Sequence, residues 1–213
     1  MKLVCVLLAS TALLAATGRG LPARPTPADY PAHASSQGVT IAAEIMDPDL
    51  VKGSFSTDLD NYTVVEVAVY PGKDGKPIEL SLIDFALRVD GRMVRPVPPR
   101  SIAKLNQKRG QDRSRDITLY PSVGVHAGSW GTGTTVGVGV GVGGNAPGPA
   151  SSDRDREVME QELDDKALQE AVLSKPVAGY LYFPATPRRK GPVTYELEYQ
   201  LGGVSIKLPV PKK

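Results

Sequence analysis

The chain has 213 residues, the length of one domain with room for a tail or an insertion. Counted with Gly and without Tyr, its apolar share is about 47%, ordinary for a globular chain, and 25 Lys and Arg against 23 Asp and Glu leave no global field to draw it to nucleic acid or acidic lipid. Collagen, a coiled coil, a wholly disordered chain and a disulfide scaffold are excluded. The departure from average lies in 22 Gly and 19 Pro, together about 19% against a usual 12%.

After Met1-Lys2 comes an apolar run from Leu3 to Ala16, interrupted only by Ser10 and Thr11. One positive charge, about 14 apolar positions and then small residues make a secretory signal peptide. The run is short of the roughly 20 residues a membrane-spanning helix needs. Residues 1–18 are therefore expected to be removed on export, with a cut after Ala16 or Gly18. The A-x-A match at Ala32-His33-Ala34 lies too far downstream. Cys5, the single cysteine, sits inside the run rather than at its end. That argues against a lipid anchor and leaves the mature chain without a disulfide or a thiolate ligand.

Residues 19–37 carry Pro22, Pro25, Pro27 and Pro31 among small and polar residues and read as a disordered tether. The folded domain is then 38–213, broken by a glycine-rich low-complexity tract at 122–150 and an acidic helix at 152–174. An apolar run at 39–46 is a first strand. From Tyr62 to Tyr70, Thr63, Val65, Val67 and Val69 alternate with Glu66 and Ala68, a half-buried strand. Ile78, Leu80 and Leu82 alternate next. The phase then flips to Phe85, Leu87 and Val89, which places a bulge or break at Leu82-Ile83. Asp90-Gly91 is a two-residue hairpin turn returning through Met93 and Val94.

A short basic helix is expected over 101–108, after Pro98-Pro99. A longer helix is expected over 153–173, with Met159, Leu163, Ala167 and Ala171 at i+4 spacing and Leu168 and Val172 beside them. Ser152 with Asp155 resembles a capping box, and Glu162-Lys166 is a favourably oriented i,i+4 pair. Residues 178–183 form one strand. Val193 to Leu201 alternates strictly, Gly202-Gly203 turns the chain, and Val204, Ile206, Leu208 and Val210 alternate back as a hairpin. The total is about seven short strands with one long and one short helix and a Gly-rich insertion: a mainly β chain, with the strand count of an immunoglobulin-like antiparallel sandwich.

Charge is uneven along the chain. Residues 88–115 hold nine Lys and Arg against Asp90 and Asp112, and 153–170 hold eight acids against Arg154, Arg156 and Lys166. These segments are expected to face each other. The basic one lacks stacking aromatics or a recognised motif, so no nucleic-acid partner is expected.

No residue is assigned to catalysis, to a cofactor or to a metal. His33 lies in the tether and His126 opens the glycine tract, so the two have no shared rigid support for zinc. Ala127-Gly128-Ser129-Trp130-Gly131 echoes a nucleophile elbow, but the Gly/Thr-rich run after it is not the helix that elbow requires. Asp47, Asp49, Asp58 and Asp60 cluster around Lys52 and Phe55. They could offer oxygen ligands to calcium, but the loop pattern D-x-D-x-D-G is absent and a solvated loop is expected. Val and Gly alternate with period 2 over 136–142, which suits an extended ribbon or mobile loop better than a helix. Tyr180 and Tyr182 point away from Leu181 and Phe183, as part of a binding face or as packing beneath the long helix.

Three stretches, YTVVEVAVYP at 62–71, DFALRVDG at 84–91 and GYLYFP at 179–184, together resemble the telokin-like immunoglobulin domains of exported bacterial proteins. The resemblance covers residues 39–100 and 177–209. It implies an immunoglobulin-like fold and a group of unknown function, and it brings no catalytic residues. The expectation is an exported, non-enzymatic binding or assembly module of the bacterial cell envelope. It would have a protein partner and no transmembrane helix in the mature chain, and would present a sheet edge, its end loops or the glycine tract. The alternatives are a secreted hydrolase or calcium-dependent enzyme, and a surface protein that self-assembles through the glycine tract.

Overall fold

A computed structural model describes residues 19–72, 77–115, 152–186, 192–201 and 204–211. The expected signal segment at 1–18, the glycine tract with His126 and Ser129, and the expected turn at Gly202-Gly203 lie outside them. In chain order the strands are β1 (Ala32–Ser36), β2 (Val39–Ile45), β3 (Tyr62–Pro71), β4 (Ile78–Leu80), β5 (Phe85–Val89), β6 (Arg92–Val94), β7 (Ala171–Leu173), β8 (Val177–Pro184), β9 (Tyr195–Leu201) and β10 (Val204–Pro209). The helices are α1 (Pro48–Ser54), α2 (Pro99–Arg115) and α3 (Asp153–Lys166). One sheet has the order β1-β2-β3-β8, a second β10-β9-β5-β6, and β4 pairs with β7 in a small ribbon. Every pairing between these strands is antiparallel. The mainly β expectation holds, although ten strands stand among the described residues where about seven were expected.

The two large sheets share one apolar core. Ile41, Val67 and Phe183 come to it from the first, and Phe85, Leu197 and Ile206 from the second. Withdrawing these side chains from water is the main drive to fold. The local signals that do not depend on distant partners act as expected. Asp90 and Gly91 have φ of 47° and 81° and close the β5–β6 hairpin, the backbone a two-residue turn between twisted strands requires. The phase flip is a 3₁₀ turn at Leu82–Asp84. β9 and β10 pair antiparallel from Leu201 and Val204 to Glu196 and Pro209. Ser152 and Asp155 form a reciprocal capping box at the start of α3.

Four expectations are corrected by tertiary packing. First, residues 19–37 are not a tether. Arg19 to Tyr30 lie across the outer face of the first sheet, a 3₁₀ turn forms at Pro27–Asp29, and β1 pairs with β2. The sheet accommodates this segment through a row of alanines, Ala42, Ala68 and Ala178, in register on β2, β3 and β8. Leu21, Ala23 and Tyr30 pack on them, because side chains this short let a second layer lie flat. Second, β3 is not half-buried. From Val64 to Tyr70 it is buried on both faces, since the N-terminal segment and the helices cover the side expected to meet water.

Third, the acidic helix ends at Lys166, not near residue 173. Ala167 is extended, Leu168 N donates to Tyr180 O at 3.0 Å, and Ala171–Leu173 leave as β7 with Ala171 and Val172 exposed. Pairing with β8 outcompetes continuation of the helical stripe. Fourth, α2 runs well past the 101–108 expected, and α1 forms inside the acidic cluster with Asp47 as its N-cap, accepting from Asp49 N at 2.8 Å. The basic and acidic segments meet in part. Gln107 on α2 bonds Asp153 on α3, whereas Arg88 pairs with Glu198 of β9 at 2.7 Å.

Beneath the helices Tyr182 is buried, its hydroxyl donating to Leu163 O at 2.9 Å. That residue is packing, not a binding face. The outer edge of β8 is occupied along its length. The carbonyls of Ala178, Tyr180 and Tyr182 accept from Leu21, Leu168 and Val97 at 2.8, 3.0 and 2.7 Å. An edge strand so covered offers no free ladder to another chain.

Candidate functional site

A cleft of about 1000 Å³ opens at one end of the two sheets, where β2 runs into α1, β3 begins, β8 ends, β5 turns into β6 and β9 starts. Half-buried Met46, Tyr62, Val193 and Tyr195 line it, over Val51, Phe55 and Leu59, which are buried. Around it, neighbouring strands within each sheet are tied at their ends, β8 to β3 in the first and β5 to β9 in the second. Ala185 N donates to Asn61 O at 2.8 Å, Asp90 N to Thr194 O at 3.1 Å, and Thr194 N to Asp90 Oδ1 at 2.9 Å.

The wall between α1 and β3 is a loop of residues 55–61 with no regular ladder of its own, and side chains from the two long helices hold it in place. Glu162 accepts four hydrogen bonds, from the backbone N–H and hydroxyl of both Ser56 and Thr57, at 2.7–3.0 Å. Burial alone would raise this carboxyl. The four donors outweigh burial and hold it below the usual carboxylate range. Lys166 donates to Ser54 O and lies 4.3 Å above the Phe55 ring. Phe55 in turn sits 5.5 Å from the Tyr180 ring and 6.2 Å from that of Tyr182. From α2, Asn106 Nδ2 donates to Asp58 O at 2.7 Å. A loop fixed by this many side-chain bonds meets a ligand already ordered, which lowers the entropic cost of binding.

The four acids of the sequence cluster are divided. Asp58 and Asp60 line the cleft, with Asp60 N bonded to Asp58 Oδ1 at 2.9 Å and Lys52 Nζ 3.3 Å from Asp60 Oδ1. Asp47 and Asp49 instead start α1. Among the described residues no group of three or more His, Cys, Asp or Glu is placed to hold a metal ion. His33 is exposed on β1, and Ser129 and His126 lie outside the described residues.

Sequence reasoning missed a second polar site. Glu44, Glu66 and Tyr180 stand in one row across β2, β3 and β8, and Arg24 bridges both carboxylates from above, its Nη2 2.5 Å from Glu44 Oε2 and 3.0 Å from Glu66 Oε2. The guanidinium also lies 4.1 Å over the Tyr30 ring and donates to Asp29 O at 2.8 Å. Two carboxylates directly opposite on neighbouring strands repel, so this row depends on Arg24. Glu44 and Glu66 sit in different strands and Arg24 in a proline-rich stretch, so no spacing announces the trio. The cleft is equally silent in sequence, being assembled from four separate segments. No protein-family model, no curated protein and no solved structure matches this chain.

Proposed function

We propose that the chain is an exported, non-enzymatic binding module of the bacterial cell envelope, built as an immunoglobulin-like β-sandwich. It takes an extended segment of a protein partner into the cleft beside α1. The pre-ordered wall at residues 55–61 carries this reading, since loops at one end of a rigid β framework are where binding sites concentrate. The signal segment and the resemblance to telokin-like domains support export and the sandwich, and the occupied outer edge of β8 favours the end loops over that edge as the docking surface. Among the described residues the lining bears Asp58, Asp60 and Asp90 and one base, Lys52. The segment that fits is therefore apolar with basic side chains, its cations facing these acids.

A photo-reactive side chain at Asn61, in the full chain expressed in envelope-bearing cells, is expected to capture a discrete partner band. Asp58→Lys with Asp60→Lys is expected to reduce that band at least tenfold. A band unchanged by the charge reversal, or none from Asn61, overturns the reading.

A further inference from the structure

The bases of α2 and the acids of α3 do not cancel within the molecule. α2 carries six bases to one acid, and α3 seven acids to three bases. On α2 Ile102, Ala103 and Asn106 turn inward, while Arg100, Lys104 and Lys108, at i, i+4 and i+8, form one exposed row. Among the described residues none of these three cations has an acid partner. The acids of α3 draw on other bases. Asp153, Glu157 and Glu160 share Arg156, at 3.8, 3.8 and 3.3 Å, and Arg19 Nη1 lies 3.0 Å from Asp164 Oδ2. Asp153 and Glu157 remain exposed. The helices lie side by side over the Tyr182 cluster, joined by Gln107 Nε2 to Asp153 Oδ1 at 3.0 Å. Their outward sides therefore set a positive stripe beside a negative one, with Leu105 and Val158 exposed on the same helices.

We propose that this face binds a second copy of the chain. An anionic membrane or an acidic segment laid on α2 would also meet the acids of α3, which repel it. A second copy presents both signs. A half-turn about an axis in the plane of contact, running along the helix pair, sets α2 of each copy on α3 of the other. The same contact of unlike charges then occurs twice. An axis across the pair would stack α2 on α2 and α3 on α3, and like charges reject it. α3 has 14 residues, about 21 Å of helix, and two helices abreast are about 20 Å wide. The face is thus about 400 Å² per copy, half of the roughly 800 Å² of a standard interface. The dimer is weak and sensitive to salt.

Sedimentation velocity of the purified full chain across a concentration series tests this. A monomer–dimer equilibrium is expected at low salt, and its loss at about 1 M salt, where screening acts within about 3 Å. Lys104→Glu with Lys108→Glu, and separately Asp153→Lys with Glu157→Lys, are each expected to weaken dimerisation at least tenfold while leaving the thermal midpoint of the monomer in place. An equimolar mixture of the two variants is expected to restore the dimer, because each mixed contact again opposes unlike charges. A chain that stays monomeric at every concentration, a dimer indifferent to both reversals, or a mixture no better than its parts overturns the inference. Flotation with phosphatidylglycerol vesicles tests the other occupant: monomer captured by them, and released by the α2 reversal, assigns the face to lipid and overturns it as well.

Discussion

Asp84 and Glu162 are both partly buried carboxyls, and their surroundings drive them in opposite directions. Burial raises Asp84, Glu170 and Glu79 add to this, and its Oδ2 has no hydrogen-bond partner among the described residues. The hydroxyl of Tyr199 is likewise unpartnered, and burial, with Asp84 nearby, pushes it up to about 12. Because the folded state holds the Asp84 proton more tightly than the unfolded chain, the stability this group contributes is present at acid pH. It is lost as pH rises through the raised value. Asp84→Asn is therefore expected to raise the thermal midpoint at pH 7 and to flatten the fall in stability as pH rises above the ordinary carboxyl value. Glu162 has the reverse sign: its contribution is present above the unfolded carboxyl value and lost as pH falls through the lowered one. Glu162→Gln is expected to cost about 2 kcal/mol at pH 7, measured by urea unfolding, because charge-assisted bonds become neutral ones. The sequence showed Glu162 only as a partner for Lys166. Its four loop bonds were invisible because Ser56 and Thr57 lie more than a hundred positions away.

Strands and helices were legible where their own neighbours decide them. The β9–β10 hairpin alternates without a break, the Asp90-Gly91 turn has a pair suited to positive φ, and the phase flip at Leu82 marks a register change. Where a distant element decides, the pattern misled. Leu168 continues the stripe of α3 in sequence, yet it pairs beside β8. That approach needs Gly179, where a Cβ would lie 2.3 Å from Leu168 N and 2.6 Å from Ala167 C. Both contacts are with backbone that has nowhere to yield. Gly179→Ala is expected to destabilise by about 3 kcal/mol, at the upper end of overpacking effects, read as a lower urea midpoint with unchanged slope. The proline-rich start failed for a related reason: small residues lying on a floor of alanines carry no period that a sequence pattern can detect.

At the scale of the molecule the N-terminal segment is part of the folded unit, held by a charge row as well as by packing. Removing one member of a largely buried ionic cluster leaves the others uncompensated. Arg24→Ala is expected to cost about 3 kcal/mol, and adding Glu44→Gln and Glu66→Gln to restore most of it. Circular dichroism and tyrosine fluorescence should report one coincident transition in every variant. Rescue that fails, or a separate early transition, would mean that the segment is held otherwise. The cleft draws on the same unity, since its wall is fixed by α2 and α3 rather than by its own sequence.

The pairing of Leu21 with Ala178 and of Arg19 with Asp164 also bears on how the chain is made. Synthesis delivers the first of each pair long before the second, at roughly 5–20 residues per second. The leading segment thus has no completed seat until nearly the whole polypeptide has emerged. A chain built in this order closes the outer layer of its first sheet last.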